Sequence, residues 1–228
     1  MKIKVLSAVL ITLIFLVSCS DGNDKPKGDT TMNEETRSTG ENHLEDLMDI
    51  KDEAELKTKF GNEHVSYDTI WGPEGMYLMG SYIDKGTFDE VQIIWNDSLH
   101  RTGVASAMVR AYYDTTGNGN YIFKNKWNSA KGVQLGTTSD ELEKLNGKVF
   151  NFSGFGWDYG GSITNWNGGK LDNSGIGIEL TEGDINKKIT ETEYEQILGD
   201  QDVKSDHPVV KKVQPKVYKL SVHDDWEN

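Results

Sequence analysis

The sequence predicts an α+β fold built mostly of antiparallel strands with a few short helices. Three observations lead there. Runs that alternate apolar and polar residues recur between glycine-containing turns, the helical segments are short and capped at both ends, and no apolar pattern of helical period is sustained for long. Gly132 to Leu171 shows all of this in one stretch. Val133-Gln134-Leu135 reads as a strand ending at Gly136, and Thr138 with Glu141 has capping-box spacing ahead of a helix carrying Leu142 and Leu145. Asn146-Gly147 is the left-handed exit. Val149 to Phe152 and Ser162 to Trp166 follow as strands, with Gly160-Gly161 and Gly168-Gly169 as turns.

The chain begins with Lys2 and Lys4 followed by an apolar run, Val5 to Val17, of the length of a secretory signal rather than a membrane span. It ends in Leu16-Val17-Ser18-Cys19, which resembles the lipobox of bacterial lipoproteins. That resemblance implies cleavage before Cys19, fatty acylation of Cys19 and residence in the bacterial cell envelope, at the outer membrane or cell surface rather than the inner membrane. Residues 1–18 are then signal peptide. Residues 19–42 are the lipidated cysteine and a disordered tether, since Ser20 to Asn42 holds too little apolar surface to offset its ordering entropy.

Cys19 is the one cysteine of the 228 residues, so neither a disulfide framework nor a thiolate metal site is expected. The formal charge of −13 grows more negative when Lys2 and Lys4 leave with the signal, which argues against nucleic acid and anionic lipid surfaces as partners.

Leu44 to Ile50 and Asp52 to Phe60 read as helical, with Gly61 as the stop. Strands are expected at Val65–Trp71, Gly75–Ile83 and Glu90–Trp95, then at Val104–Tyr113 with Val104, Ser106, Met108 and Arg110 on one face. Tyr121–Trp127 returns as a further strand after the loop Asp114 to Asn120. That loop carries Asp114, Asn118 and Asn120 at calcium-like spacing without the downstream glutamate, so a plain hairpin is the better account. Further on come a strand at Ile176–Leu180, a helix opened by Thr190 and stopped by Gly199, a polar loop from Asp200 to His207, a strand at Lys216–Val222 and a loose tail at 223–228.

Glu55-Leu56 before Gly61 and Glu141-Leu142 before Gly147 echo one another, so the body divides into two tandem helix-plus-meander modules, 43–131 and 132–222. With Gly136, Thr137, Leu142 and Gly147, this layout resembles the β-lactamase inhibitor protein fold and small outer-membrane assembly lipoproteins. The chain departs from them in lacking a cysteine pair and in its segment Gly154-Phe155-Gly156-Trp157-Asp158-Tyr159-Gly160-Gly161.

No catalytic, cofactor or metal constellation stands out. The five histidines have no metal-ligand spacing, no serine sits in a nucleophile elbow, and nothing singles out two of the thirty-seven acids. The sharpest feature is Phe155, Trp157, Asp158, Tyr159 and Trp166, large rigid side chains on a glycine-rich frame. Such residues suit a protein partner. The expected function is therefore non-catalytic binding of another envelope or secreted protein, with inhibition as one form of it. The alternatives are a glycan-binding module or hydrolase using Trp157 and Trp166 as sugar platforms, and a structural role in which these aromatics fill the core.

Overall fold

A six-stranded antiparallel sheet carries the fold, in the order β11 (Ile176–Leu180), β13 (Val217–His223), β5 (Thr102–Arg110), β4 (Val91–Asp97), β3 (Tyr77–Ile83) and β2 (Val65–Trp71). The structure is a computed structural model and describes residues 42–116, 120–183 and 189–224. The expected signal peptide, Cys19, the tether up to residue 41, Asn118 and the tail from Asp225 onward lie outside the described residues. The mixed α+β class with short helices and mostly antiparallel pairing is what the sequence predicts.

One face of the sheet is largely apolar, its inward residues alternating along each strand as period-two geometry requires except at bulges. Ile83, Val91, Ile93, Ala107, Val109, Leu220, Val222 and Ile178 point inward and are buried. Against them pack Leu44 and Leu47 of a 3-10 turn, Leu56 of α1 (Glu53–Phe60) and Leu142 of α2 (Ser139–Asn146). Phe150 and Phe152 also join this core, the latter on a small sheet ordered β10 (Ile163–Asn165), β9 (Asn151–Ser153) and β12 (Asp202–Lys204).

The caps follow the sequence. Asp52 accepts the Glu55 N–H at the start of α1, the Thr138–Glu141 box closes reciprocally, and Gly147 ends α2 at φ 75°. A second capping box, Thr190 with Glu193, opens α3 (Glu191–Tyr194).

Under the sheet, Glu53 is almost fully buried and fully engaged. One oxygen accepts Ser81 Oγ–H at 3.0 Å, the other accepts Lys57 Nζ at 2.9 Å and Arg101, and Ser81 in turn accepts the Trp95 indole N–H at 2.9 Å. Burial pushes the Glu53 carboxyl up, but the hydrogen bonds from Lys57, Ser81 and Arg101 outweigh it and hold the group below the usual glutamate value.

Several expectations are corrected. The two-module division fails because β13, from the second half, is inserted between β11 and β5 and pairs with β5 from Lys219↔Arg110 to His223↔Ser106. Strands from both halves thus share the six-stranded sheet and its main core, and the described residues fall within one compact unit. Tyr121–Trp127 is not one strand. Tyr121–Ile122 (β7) closes a hairpin with Tyr112–Tyr113 (β6), whereas Trp127–Asn128 (β8) pairs in parallel with Asn42–His43 (β1).

Val133–Leu135 has the expected burial alternation but holds only an isolated bridge, Asn128↔Gln134. The polar loop at 200–207 contains β12 because Val203 is drawn into the core, and a helix, α4 (Pro208–Val213), follows it with Val209, Val210 and Val213 buried. Val104 leaves the face of Met108. A bulge between the pairs Ile94↔Ser106 and Trp95↔Val104 adds one residue, Ala105, and turns Val104 into the core.

Candidate functional site

The β2–β3 hairpin outruns the sheet. β3 pairs with β4 only over Ser81–Ile83, whereas its pairing with β2 continues through Ile70↔Leu78 to Trp71↔Tyr77. Gly80 permits the departure, since a Cβ there would stand 2.5 Å from the Ile93 carbonyl oxygen and 2.4 Å from Ile70 Cδ1. Beyond this point Ile70 packs with Tyr82 and Met108 in a small second cluster on the sheet's outer face. The arm then ends in the turn Gly72-Pro73-Glu74-Gly75, where Glu74 takes φ 56°. Trp71 and Tyr77 flank that turn, their ring centroids 5.5 Å apart, and are 62% and 67% exposed. Met76, between turn and strand, is exposed as well.

The glycine-rich segment faces this tip. Its backbone is clamped to two neighbours: Phe155 N–H donates to Ile197 O, Gly199 N–H donates to Phe155 O (both 2.8 Å), and Leu180 N–H donates to Gly161 O (2.9 Å). Two of its glycines exist for close approach. A Cβ on Gly154 would lie 2.5 Å from the Gly199 carbonyl oxygen, and one on Gly161 would lie 2.1 Å from that of Leu180.

The five residues singled out in the sequence divide sharply. Phe155 is buried against Phe152, and Trp166 is buried against Phe150, with centroid separations of 5.4 and 5.3 Å. Neither presents a side chain to a partner, because the clamp on one and the short β10 beside the other turn both rings inward. Trp157 and Tyr159 remain at the surface, 39% and 37% exposed, in edge contact at 5.3 Å. Trp157 is fixed in place by its indole N–H, which donates to Gly154 O at 2.9 Å. Trp157 and Trp166 therefore do not form a paired exposed platform for a sugar.

Asp158 joins the two surface features. Its Oδ2 accepts the backbone N–H of Glu74 at 3.0 Å, across 84 positions of sequence. Between the hairpin tip and the Asp158 loop lies a cleft of about 360 Å³, walled by Trp71 and Asp158 and bordered by Arg110, Glu179, Tyr218 and Lys219. Glu179 bonds Lys219 through one oxygen and accepts the Tyr218 hydroxyl at 2.5 Å through the other. Burial, and then this bond to a carboxylate, push the Tyr218 phenol well above its usual value, so it stays protonated as a donor.

Sequence reasoning missed Trp71, Tyr77, Arg110 and the Glu179–Tyr218–Lys219 group. A signal for the first two was present, since aromatics bracketing Gly-Pro-Glu-Gly mark a hairpin tip too narrow to bury them. The rest is assembled by nonlocal pairing. Among the described residues no group of three or more His, Cys, Asp or Glu side chains could hold a metal ion, and no helix is long and apolar enough to cross a membrane.

No protein-family model, curated protein or solved structure matches the chain.

Proposed function

We propose that this chain is a bacterial envelope lipoprotein, acylated on Cys19, that binds another envelope or secreted protein through the surface formed by Trp157 and Tyr159 together with Trp71 and Tyr77. One observation supports this above the others. Four large aromatic side chains stand exposed on two backbone elements that are tied together by the bond from Glu74 N–H to Asp158. Rigid aromatics lose little entropy on being buried by a partner, and they dominate the energetics of protein interfaces. The strong net negative charge steers the encounter toward a partner with basic surroundings to its contact site. Partner occlusion without chemistry, as an inhibitor acts, is the mode this surface suits.

Site-specific photo-crosslinking tests the binding surface. A benzophenone side chain placed at Tyr77 or at Tyr159 should trap one and the same envelope or secreted protein, and Trp71→Ala with Trp157→Ala should suppress the adduct. The same probe at Leu99, which is 81% exposed on another turn, should not trap it. Adducts that differ between positions 77 and 159, or that match the Leu99 control, would defeat the proposal. For the anchor, Cys19→Ala should abolish metabolic labelling by a fatty-acid analogue, and persistent labelling would refute acylation at that residue.

A further inference from the structure

Resting on the binding function proposed above, we propose that Met76 is an oxidation site: a peroxide or hypohalous acid converts its thioether to the sulfoxide and so turns the aromatic surface off. Four methionines lie among the described residues, and their surroundings differ. Met108 is buried with Ile70 and Tyr82, and Met48 is half-buried against the main core. Met76 and Met79 stand on the hairpin arm, 56% and 38% exposed. Across from Met76 the chain carries Gly72, whose N–H donates to Met76 O at 2.8 Å, so no side chain shields the thioether from that direction. Met79 lies directly opposite Thr69, as Tyr77 lies opposite Trp71, and the Thr69 hydroxyl donates to Met79 Sδ at 3.7 Å. That bond engages a lone pair of the Met79 sulfur, which makes it the poorer nucleophile of the two. Met76 is therefore the first thioether an oxidant in solution meets.

The chemistry is a two-electron oxygen transfer. A sulfur lone pair attacks one oxygen of hydrogen peroxide, and the S–O bond forms as the O–O bond breaks. The hydroxide that leaves takes up the proton of the new S–OH group and departs as water, so the sulfide is oxidised and the peroxide reduced. The product carries a strong acceptor oxygen in place of an apolar, adaptable side chain. Met76 adjoins Tyr77 and stands between it and Trp71 across the turn, within the surface a partner would cover. Covering Trp71 and Tyr77 then strips water from that oxygen without returning a hydrogen bond, which opposes binding.

Oxygen uptake and binding are read separately. The purified protein is treated with dilute hydrogen peroxide, the excess is destroyed with catalase, and peptide mass spectrometry follows each methionine. Met76 should react first and Met79 several-fold more slowly, with Met48 and Met108 later still. Equal rates at Met76 and Met108 would overturn the site. The benzophenone probe at Tyr159, on the other element, then reads the surface. Oxidised protein should give about tenfold less adduct at limiting partner, the scale of one buried polar group left unpaired. Methionine sulfoxide reductases acting on both sulfur epimers should restore the adduct, and Met76→Leu should narrow the ratio of adduct before and after peroxide. Undiminished adduct from protein fully oxidised at Met76, or a loss that neither the reductases nor Met76→Leu relieves, would overturn the switch. Selective oxidation of Met76 with no crosslinked protein in any state would uphold the oxidation site and discard the protein-partner function on which the switch depends.

Discussion

Asp158 and Glu74 are joined by a single hydrogen bond, carboxylate Oδ2 to backbone N–H at 3.0 Å, and this bond fastens the end of a two-stranded arm to a loop of the other half of the chain. It bridges elements that otherwise reach the site by separate routes. The hairpin turn is held at its base by the sheet, and the loop is held by the backbone of Ile197 to Gly199 and Leu180.

Removal of that bond should loosen the tip without unfolding the body. In Asp158→Ala the Glu74 amide should exchange with solvent roughly tenfold faster, the scale of one hydrogen bond to a charged acceptor. Global stability should change by less than about 1 kcal/mol, since both groups are near the surface. Hydrogen exchange resolved at Glu74, read beside a urea melt, measures both. Unchanged exchange would mean the turn is rigid by itself.

Two glycines with similar φ should respond very differently to alanine. Gly161 (φ 83°) would drive a methyl into the Leu180 carbonyl oxygen at 2.1 Å, whereas Gly86 (φ 80°) has nothing within 4 Å. Gly161→Ala should cost on the order of 2–5 kcal/mol, the left-handed backbone and the clash together, and Gly86→Ala only about 1–2 kcal/mol. Denaturant titration compares them directly. Equal losses would remove the close-approach explanation for the glycine-rich segment.

Glu53 should confer a stability that depends on pH in one direction. Its carboxyl is held below the usual value of 4.5 in the folded protein, so the stabilisation is present above about that pH and is lost as pH falls through the lower folded value. Glu53→Gln should therefore differ most from the parent near neutrality, by on the order of 2 kcal/mol, and the two should converge in acid. Unfolding curves collected from pH 7 downward give the comparison. A gap that stays constant with pH would show that shape rather than charge is what the Lys57, Arg101 and Ser81 contacts require.

The capping box at Thr138 should be worth about 1 kcal/mol, the usual cost of replacing a threonine N-cap with alanine. Thr138→Ser should retain most of it, because the hydroxyl that accepts the Glu141 N–H survives. Thermal melts of the two variants decide this, and a serine as damaging as the alanine would assign the effect to the lost methyl instead.

These cases also show where the sequence was readable. Thr138, Glu141 and Gly147 act within a single helix, and Val65–Trp71 and Ile176–Leu180 alternate within single strands, so local chemistry was enough to place them. The insertion of β13 beside β5 pairs residues more than a hundred positions apart and leaves no local mark on either strand. The same limit divided the aromatics. Trp157 and Trp166 both sit among glycines and polar residues, and only the packing of Phe150 beside one, and the bond from Gly154 O beside the other, made one core and one surface. Helix α4 was hidden because Val209-Val210 reads as strand until the buried face shared with α2 is known.

The position of β13 also governs when this chain can fold. Because its last described strand fills an interior slot of the sheet, β5 and β11 stay unpaired along one side until residues 217–223 have been synthesised and are free to pair. Earlier segments can form helices and the β2–β3 hairpin, but not a closed core. A fold whose keystone strand is made late holds back closure of its core until that strand is available to pair.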